Sequence, residues 1–184
     1  AIPATKLLIN MKDTRNADLT IKVTGSRWKW HYSYMDYQGN DSLKLDFFSA
    51  LATPMSQILR PALASGLFPN GAAKDQYSPT KNYDTQTRDY LLEVDRPLVV
   101  PADAKVRLLI TSEDVIHAWW MPAFAIKADA IPGFINELWF KVPGKNTGLY
   151  RGQCAELCGK DHGFMPIVVD VKPPQEFNQW LNDE

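Results

Sequence analysis

The sequence predicts an all-β protein, a Greek-key sandwich or barrel with short helices at its periphery. Apolar and polar residues alternate with period two in one segment after another, the pattern of half-buried strands. Thirteen prolines and ten glycines break the 184 residues into short pieces, as a chain of many turns requires. Helical periods are few and lie apart from the alternating runs. Many short strands at regular spacing favour a two-sheet sandwich or a closed barrel. At this length a single domain over 1–184, with a sizeable core, is the expectation.

Leu19-Thr20-Ile21-Lys22-Val23 alternates and reads as the first strand, after the apolar run Leu7-Leu8-Ile9. Beyond Gly25, Trp28-Lys29-Trp30-His31-Tyr32-Ser33-Tyr34 alternates again, placing its large aromatics on one face and His31 on the other, toward solvent. Core packing accounts for most such rings; a surface position for Trp28 or Trp30 would instead serve an arriving electron or a partner protein. From Ser49 to Asp89 the period is lost. Thr53-Pro54 offers a helix start, with Met55, Ile58, Leu59 and Leu63 at helical spacing. Residues 49–89 as a whole read as a long surface insertion, too poor in apolar residues to form a core of their own. Strand-like runs return at 90–94, 97–101, 105–111, 124–128, 134–142, 147–151 and 167–171. Pro173-Pro174 ends the last of them, and 174–182 reads as a short amphipathic C-terminal helix.

The formal net charge is −1, which argues against nucleic acid as a partner, since that binding is driven by neutralising phosphates. No apolar run reaches the roughly 18–20 residues that cross a bilayer, so the chain as given is expected to be soluble.

Chemistry concentrates between Gly152 and Met165. Both cysteines of the chain, Cys154 and Cys158, stand there with His162 and Met165, all within twelve residues. Thiolate, imidazole and thioether are soft donors that suit copper far better than magnesium or calcium. Duller readings exist. Two cysteines four apart can close a disulfide, and two Cys with two His make a common structural zinc set, though zinc leaves Met165 unexplained. A mononuclear blue-copper centre takes one Cys, two His and a weak Met, so here there is one thiol too many. Two coppers bridged by two thiolates, each completed by one His and one weaker ligand, fit the count. That arrangement needs a second imidazole. His117 stands at a strand end before Trp119-Trp120, in an apolar setting where a dry site can form, and is the better candidate than His31.

Several motifs resemble the soluble copper domain of cytochrome c oxidase subunit II. They are Trp28-x-Trp30-x-Tyr32, Ser112-Glu113-Asp114-Val115-Ile116-His117-x-Trp119, Asp129-Ala130-Ile131-Pro132-Gly133, and the run from Tyr150 through Gly152-Gln153-Cys154-x-Glu156-x-Cys158-Gly159-x-x-His162-x-Phe164-Met165-Pro166. The resemblance implies a cupredoxin-like fold carrying a dinuclear CuA centre. Its ligands would be His117, Cys154, Cys158, His162, Met165 and the backbone carbonyl of Glu156. It further implies that an electron from cytochrome c arrives at Trp28, with Trp30 beside it. The Glu156 carboxylate would help hold magnesium at the contact with the catalytic subunit I. Glu113 and Asp114 are candidates for docking a lysine-rich cytochrome c. The implied protein is an electron-transfer subunit of an O2-reducing, proton-translocating oxidase on the periplasmic face of the bacterial inner membrane, where transmembrane helices absent from this chain precede the domain. The 49–89 insertion exceeds the corresponding loop of better-known members. The chain lacks a Cys-x-x-Cys-His haem motif, so the donor should be a separate protein. Two other readings compete: the copper domain of a nitrous oxide reductase, and a copper carrier or metallochaperone.

Overall fold

The computed structural model describes residues 1–39, 43–53, 58 and 89–184. In chain order the elements are α1 (Ile2–Lys12), β1 (Leu19–Ser26), β2 (Lys29–Tyr37), β3 (Asp46–Ser49), β4 (Leu98–Pro101), β5 (Val106–Ser112), β6 (His117–Met121), β7 (Ile126–Ala130), β8 (Asn136–Phe140), β9 (Gly148–Cys154), β10 (Pro166–Lys172) and α2 (Pro174–Asp183). Short 3-10 turns occupy Pro122–Phe124, Gly144–Asn146 and His162–Phe164.

Two five-stranded sheets make the sandwich. One runs β3-β2-β1-β5-β8 and will be called the support sheet; the other runs β4-β10-β9-β6-β7 and will be called the ligand sheet. The β1–β5 and β10–β4 pairs are parallel, and the remaining pairs are antiparallel. The alternation read from the sequence is the cause of the layering. Along β2, Trp30, Tyr32 and Tyr34 are buried while His31 and Ser33 are only partly so. Along β5, Val106, Leu108 and Ile110 face inward. β4 is buried throughout, and β10 at every position except Asp170 and Lys172. Such runs are continuous apolar stretches and not alternating ones. α2 closes one end through Phe177, which is fully buried against Tyr37 and Trp180. Burying such a ring contributes about 2–3 kcal/mol.

The structure differs from the sequence reading in several places. Residues 90–94 do not form a strand. Leu91 takes φ 61° in a turn, and Val94 makes only an isolated bridge to Leu51. Phe124 belongs to a 3-10 turn packed on Phe140 and Tyr150, so β7 begins two residues later. The run at Leu7-Leu8-Ile9 lies in α1, none of whose residues is buried. β3 carried no mark in the sequence reading. The helix expected after Thr53 and nearly all of the 49–89 insertion lie outside the described residues. Among the described residues, no helix is long and apolar enough to cross a membrane.

Candidate metal centre

The centre is built at one end of the ligand sheet. His117 opens β6 and Cys154 closes β9, and β6 pairs with β9 through Trp119 opposite Cys154. Gly152 makes this close approach possible, because a Cβ there would fall 2.1 Å from the Trp120 carbonyl oxygen. The chain then loops from Cys154 to Met165 before returning as β10. The Ala155 N–H donates to the Ala118 carbonyl at 3.0 Å, fastening the start of the loop to the His117 strand. Gly159 turns the loop with φ +126°, and its α-carbon lies so close to the Trp28 ring that a Cβ would meet it at 3.0 Å.

The two thiols are free, buried, and 3.9 Å apart between sulfurs. Around them the other donors converge. His117 Nδ1 is 3.9 Å from Cys154 Sγ, and His162 Nδ1 is 3.5 Å from Cys158 Sγ. Met165 Sδ lies 3.6 Å from Cys158 Sγ, and the Glu156 carbonyl oxygen lies 3.4 Å from Cys154 Sγ. Donor atoms of His117, Cys154 and Cys158 fall within 4.8 Å of one another. Each thiol thus has one imidazole and one weaker donor beside it. A single zinc ion uses four donors, whereas six are gathered here, so the set fits a copper pair better than zinc.

The electrostatics favour soft-metal binding. Burial tends to raise the Cys154 thiol, but hydrogen bonds from His117 and from the backbone at Ala118 and Glu156 bring it down to about 7. Burial, and next the charge on Cys154, push Cys158 up to about 12. One thiol therefore ionises readily and the second resists until a cation joins them. Burial would lower the His117 imidazole, yet Cys154 and Asp114 outweigh it and raise it. His117 Nε2 faces Asp114 Oδ1 at 2.9 Å. With the proton on Nε2 and donated to Asp114, the Nδ1 lone pair points at the thiols. For Asp114, burial works against ionisation, but His117, the Val115 N–H and Arg27 overcome it and hold the carboxyl well below the usual range.

The structure brings His117, Cys154, Cys158, His162, Met165 and the Glu156 carbonyl together, while the Glu156 side chain is exposed. It separates the other candidates. Glu113 is exposed, whereas Asp114 is engaged with His117 and, at 3.1 Å, with Arg27 Nε, so its charge is committed inward. Trp30 is fully buried, and Trp28 is partly exposed in the β1–β2 turn with Lys160 Nζ 5.7 Å above its ring. His31 stacks on Phe48 and bonds Asp46, remote from the thiols in sequence and contacts. Sequence reasoning missed Gly25, where a Cβ would sit 3.0 Å from the His117 ring. The inward role of Asp114 was also missed, although its position three residues before His117 carried the signal.

A two-sheet β-sandwich with two buried thiols, one buried and one half-buried imidazole and a buried thioether gathered at one end defines a cupredoxin-like metal domain. The chain belongs to the cytochrome c oxidase subunit II family: the model for "Cytochrome C oxidase subunit II, periplasmic domain" matches residues 72–172. A probable cytochrome c oxidase subunit 2 of Rickettsia bellii is 39% identical over 98% of this chain and 55% of that protein. Cytochrome c oxidase subunit 2 of Myxine glutinosa is 35% identical over 98% of this chain and 65% of that protein. The chain spans about half the length of the bacterial relatives it matches. The solved periplasmic domain of subunit II (CoxB) of Bradyrhizobium japonicum superposes with TM-score 0.67 at 38% identity, covering 92% of this chain and 95% of that one. A mixed-disulfide intermediate between a thioredoxin-like protein and subunit II of cytochrome c oxidase matches with TM-score 0.62 at 40% identity, covering 94% of each chain. Membership implies a copper centre, and it favours the oxidase reading over the nitrous oxide reductase and copper-carrier ones.

Proposed function

We propose that the domain receives single electrons from a separate cytochrome c and passes them to the haem-bearing catalytic subunit of a cytochrome c oxidase. The single observation that carries this reading is the convergence of four further donors on two thiols 3.9 Å apart. His117, Cys154, Cys158, His162, Met165 and the Glu156 carbonyl would hold a dinuclear copper centre of the CuA type. When bound, that pair supplies a one-electron redox site with little change of structure between its states. The chain's own residues supply rigidity. Asp114 holds His117 by Nε2, Ala118 holds the loop by backbone, and Trp119, Met121 and Ile167 are fully buried beneath the site, in a core that excludes water. Trp28, partly exposed against the ligand loop, is the place where the electron enters. Glu113 is the remaining docking acid, and the exposed Glu156 carboxylate is free to help hold magnesium at subunit I in the complex. The whole protein would stand at the periplasmic face of a bacterial inner membrane.

The test is copper content with an EPR spectrum. Two coppers per chain, a purple colour and a seven-line hyperfine pattern support the reading, while a colourless protein holding one zinc sinks it. The free, closely spaced thiols also favour a reductive step before loading. By analogy with the relative captured in mixed disulfide, a thioredoxin-like partner would keep Cys154 and Cys158 reduced. Copper uptake by oxidised protein should then require a dithiol reductant.

A further inference from the structure

We propose that Trp30 is a positioning residue that joins the two halves of the metal centre from the opposite sheet. The inference rests on the copper reading above. All six donors belong to the ligand sheet or to the loop between β9 and β10, whereas Trp30 belongs to β2 of the support sheet. Trp30 is fully buried, so it offers no face to a donor protein. Its Nε1–H donates to the Met165 carbonyl at 3.3 Å, 135 residues away in sequence. Its ring also meets the His117 imidazole edge-on, with centroids 6.0 Å apart and planes at 64°. One stiff side chain therefore touches the β6 ligand and the final loop ligand at once.

The other contacts make Trp30 hard to replace in this role. Among the described residues, the Met165 carbonyl has one other donor, the Cys154 N–H at 3.4 Å. Without the indole N–H, the residue carrying the thioether is held by that single long bond. Directly across the β1–β2 register from Trp30 stands Gly25, whose missing side chain leaves the space taken by the His117 ring. Trp30 and Gly25 thus form a seat for the imidazole, with Asp114 bonding its far nitrogen. A ring that merely filled the core would need no N–H aimed at the ligand loop. Groups that orient metal ligands from behind typically change metal affinity and electronic character when removed.

Trp30→Phe keeps an aromatic ring and removes the donor. Copper affinity should fall about fivefold, the worth of one hydrogen bond. The hyperfine pattern should change, and the midpoint potential should move in the same direction as in Met165→Leu but by less. A loaded variant with wild-type potential and hyperfine pattern, and only a lower unfolding temperature, would assign Trp30 to packing and overturn the proposal alone. A wild-type protein that takes up no copper pair overturns the copper reading and this one with it. Should Trp30→Phe not fold, the wild type carries the test. Deuterium exchange of the Trp30 indole proton, followed by NMR, should slow by about tenfold on copper binding as Met165 is fixed. Equal exchange with and without copper overturns the proposal.

Discussion

The two sheets of the sandwich divide the work unequally. The ligand sheet carries every donor atom at one end, within β6, β9 and the loop leading to β10. The support sheet carries none, yet its residues Gly25 and Trp30, with Asp114 just beyond β5, decide where the imidazole and the thioether stand. Donors drawn from one short loop are cheap to gather, because only a small loop must close. Holding them still is harder, and that task falls to residues far away in sequence and packed against them from across the core. Composition of the centre and rigidity of the centre are thus encoded in different places.

This division can be broken at either side. Cys154→Ser removes a thiolate that the two metal ions of the proposed pair would share. We expect complete loss of the visible absorption and of the hyperfine pattern, with the fold retained by circular dichroism. Asp114→Asn leaves all donors in place and removes the negative charge that strengthens the hold on His117. Copper affinity should fall by roughly 10–100-fold, as for other outer-layer partners of a ligating histidine. In the metal-free protein the folded Asp114 carboxyl sits below its unfolded value. Its stabilisation is therefore present above about pH 4 and is lost as the pH falls toward the depressed folded value. Urea titrations should show wild type more stable than Asp114→Asn at pH 7, on the order of 1–3 kcal/mol, with the gap shrinking below pH 4.

Gly25→Ala tests the support sheet directly. The added methyl meets the His117 ring at 3.0–3.2 Å, and the crowding should cost about 1–3 kcal/mol. Copper affinity should drop along with unfolding temperature; a fall in unfolding temperature alone would mean that the ring had room to yield. The smallest effect is expected at the surface. Glu113→Gln should slow reduction by a lysine-rich cytochrome c about twofold at low salt, since exposed charge pairs contribute less than about 1 kcal/mol. The difference should vanish at high ionic strength. A rate indifferent to salt would remove Glu113 from the docking surface.

What the sequence made legible follows the same line. Cys154, Cys158, His162 and Met165 could be read together because they are neighbours in the chain. His117 followed from donor arithmetic and from its place after a strand. The alternation in β2 was readable because that strand buries Trp30, Tyr32 and Tyr34 on one face, whereas β1 alternates in sequence yet also buries Thr20 and Thr24 on the other. Residues 90–94 misled because an apolar run looks strand-like however little pairing it has, and here, among the described residues, pairing is confined to the bridge between Val94 and Leu51 and the backbone bonds beside it. Gly25 and the hydrogen bond from Trp30 were not legible, since both depend on contacts 92 to 135 residues apart across the sandwich. Asp114 carried a signal in its place three residues before His117, but only its contacts with Arg27 and His117 show where the carboxylate is engaged.

The attachment of α1 has a mechanical consequence. Asn10 receives the Trp139 indole N–H, Thr14 bonds Glu137, and Lys105 Nζ clasps the carbonyls of Asp13 and Arg15. These fasteners sit on Lys105, just before β5, and on β8 at Trp139 and Glu137, which stand opposite Arg107 and Leu109, whereas Asp114 follows the far end of β5. A pull on this helix is therefore borne first by β8 and by the residue ahead of β5, neither of which carries any of the six donors.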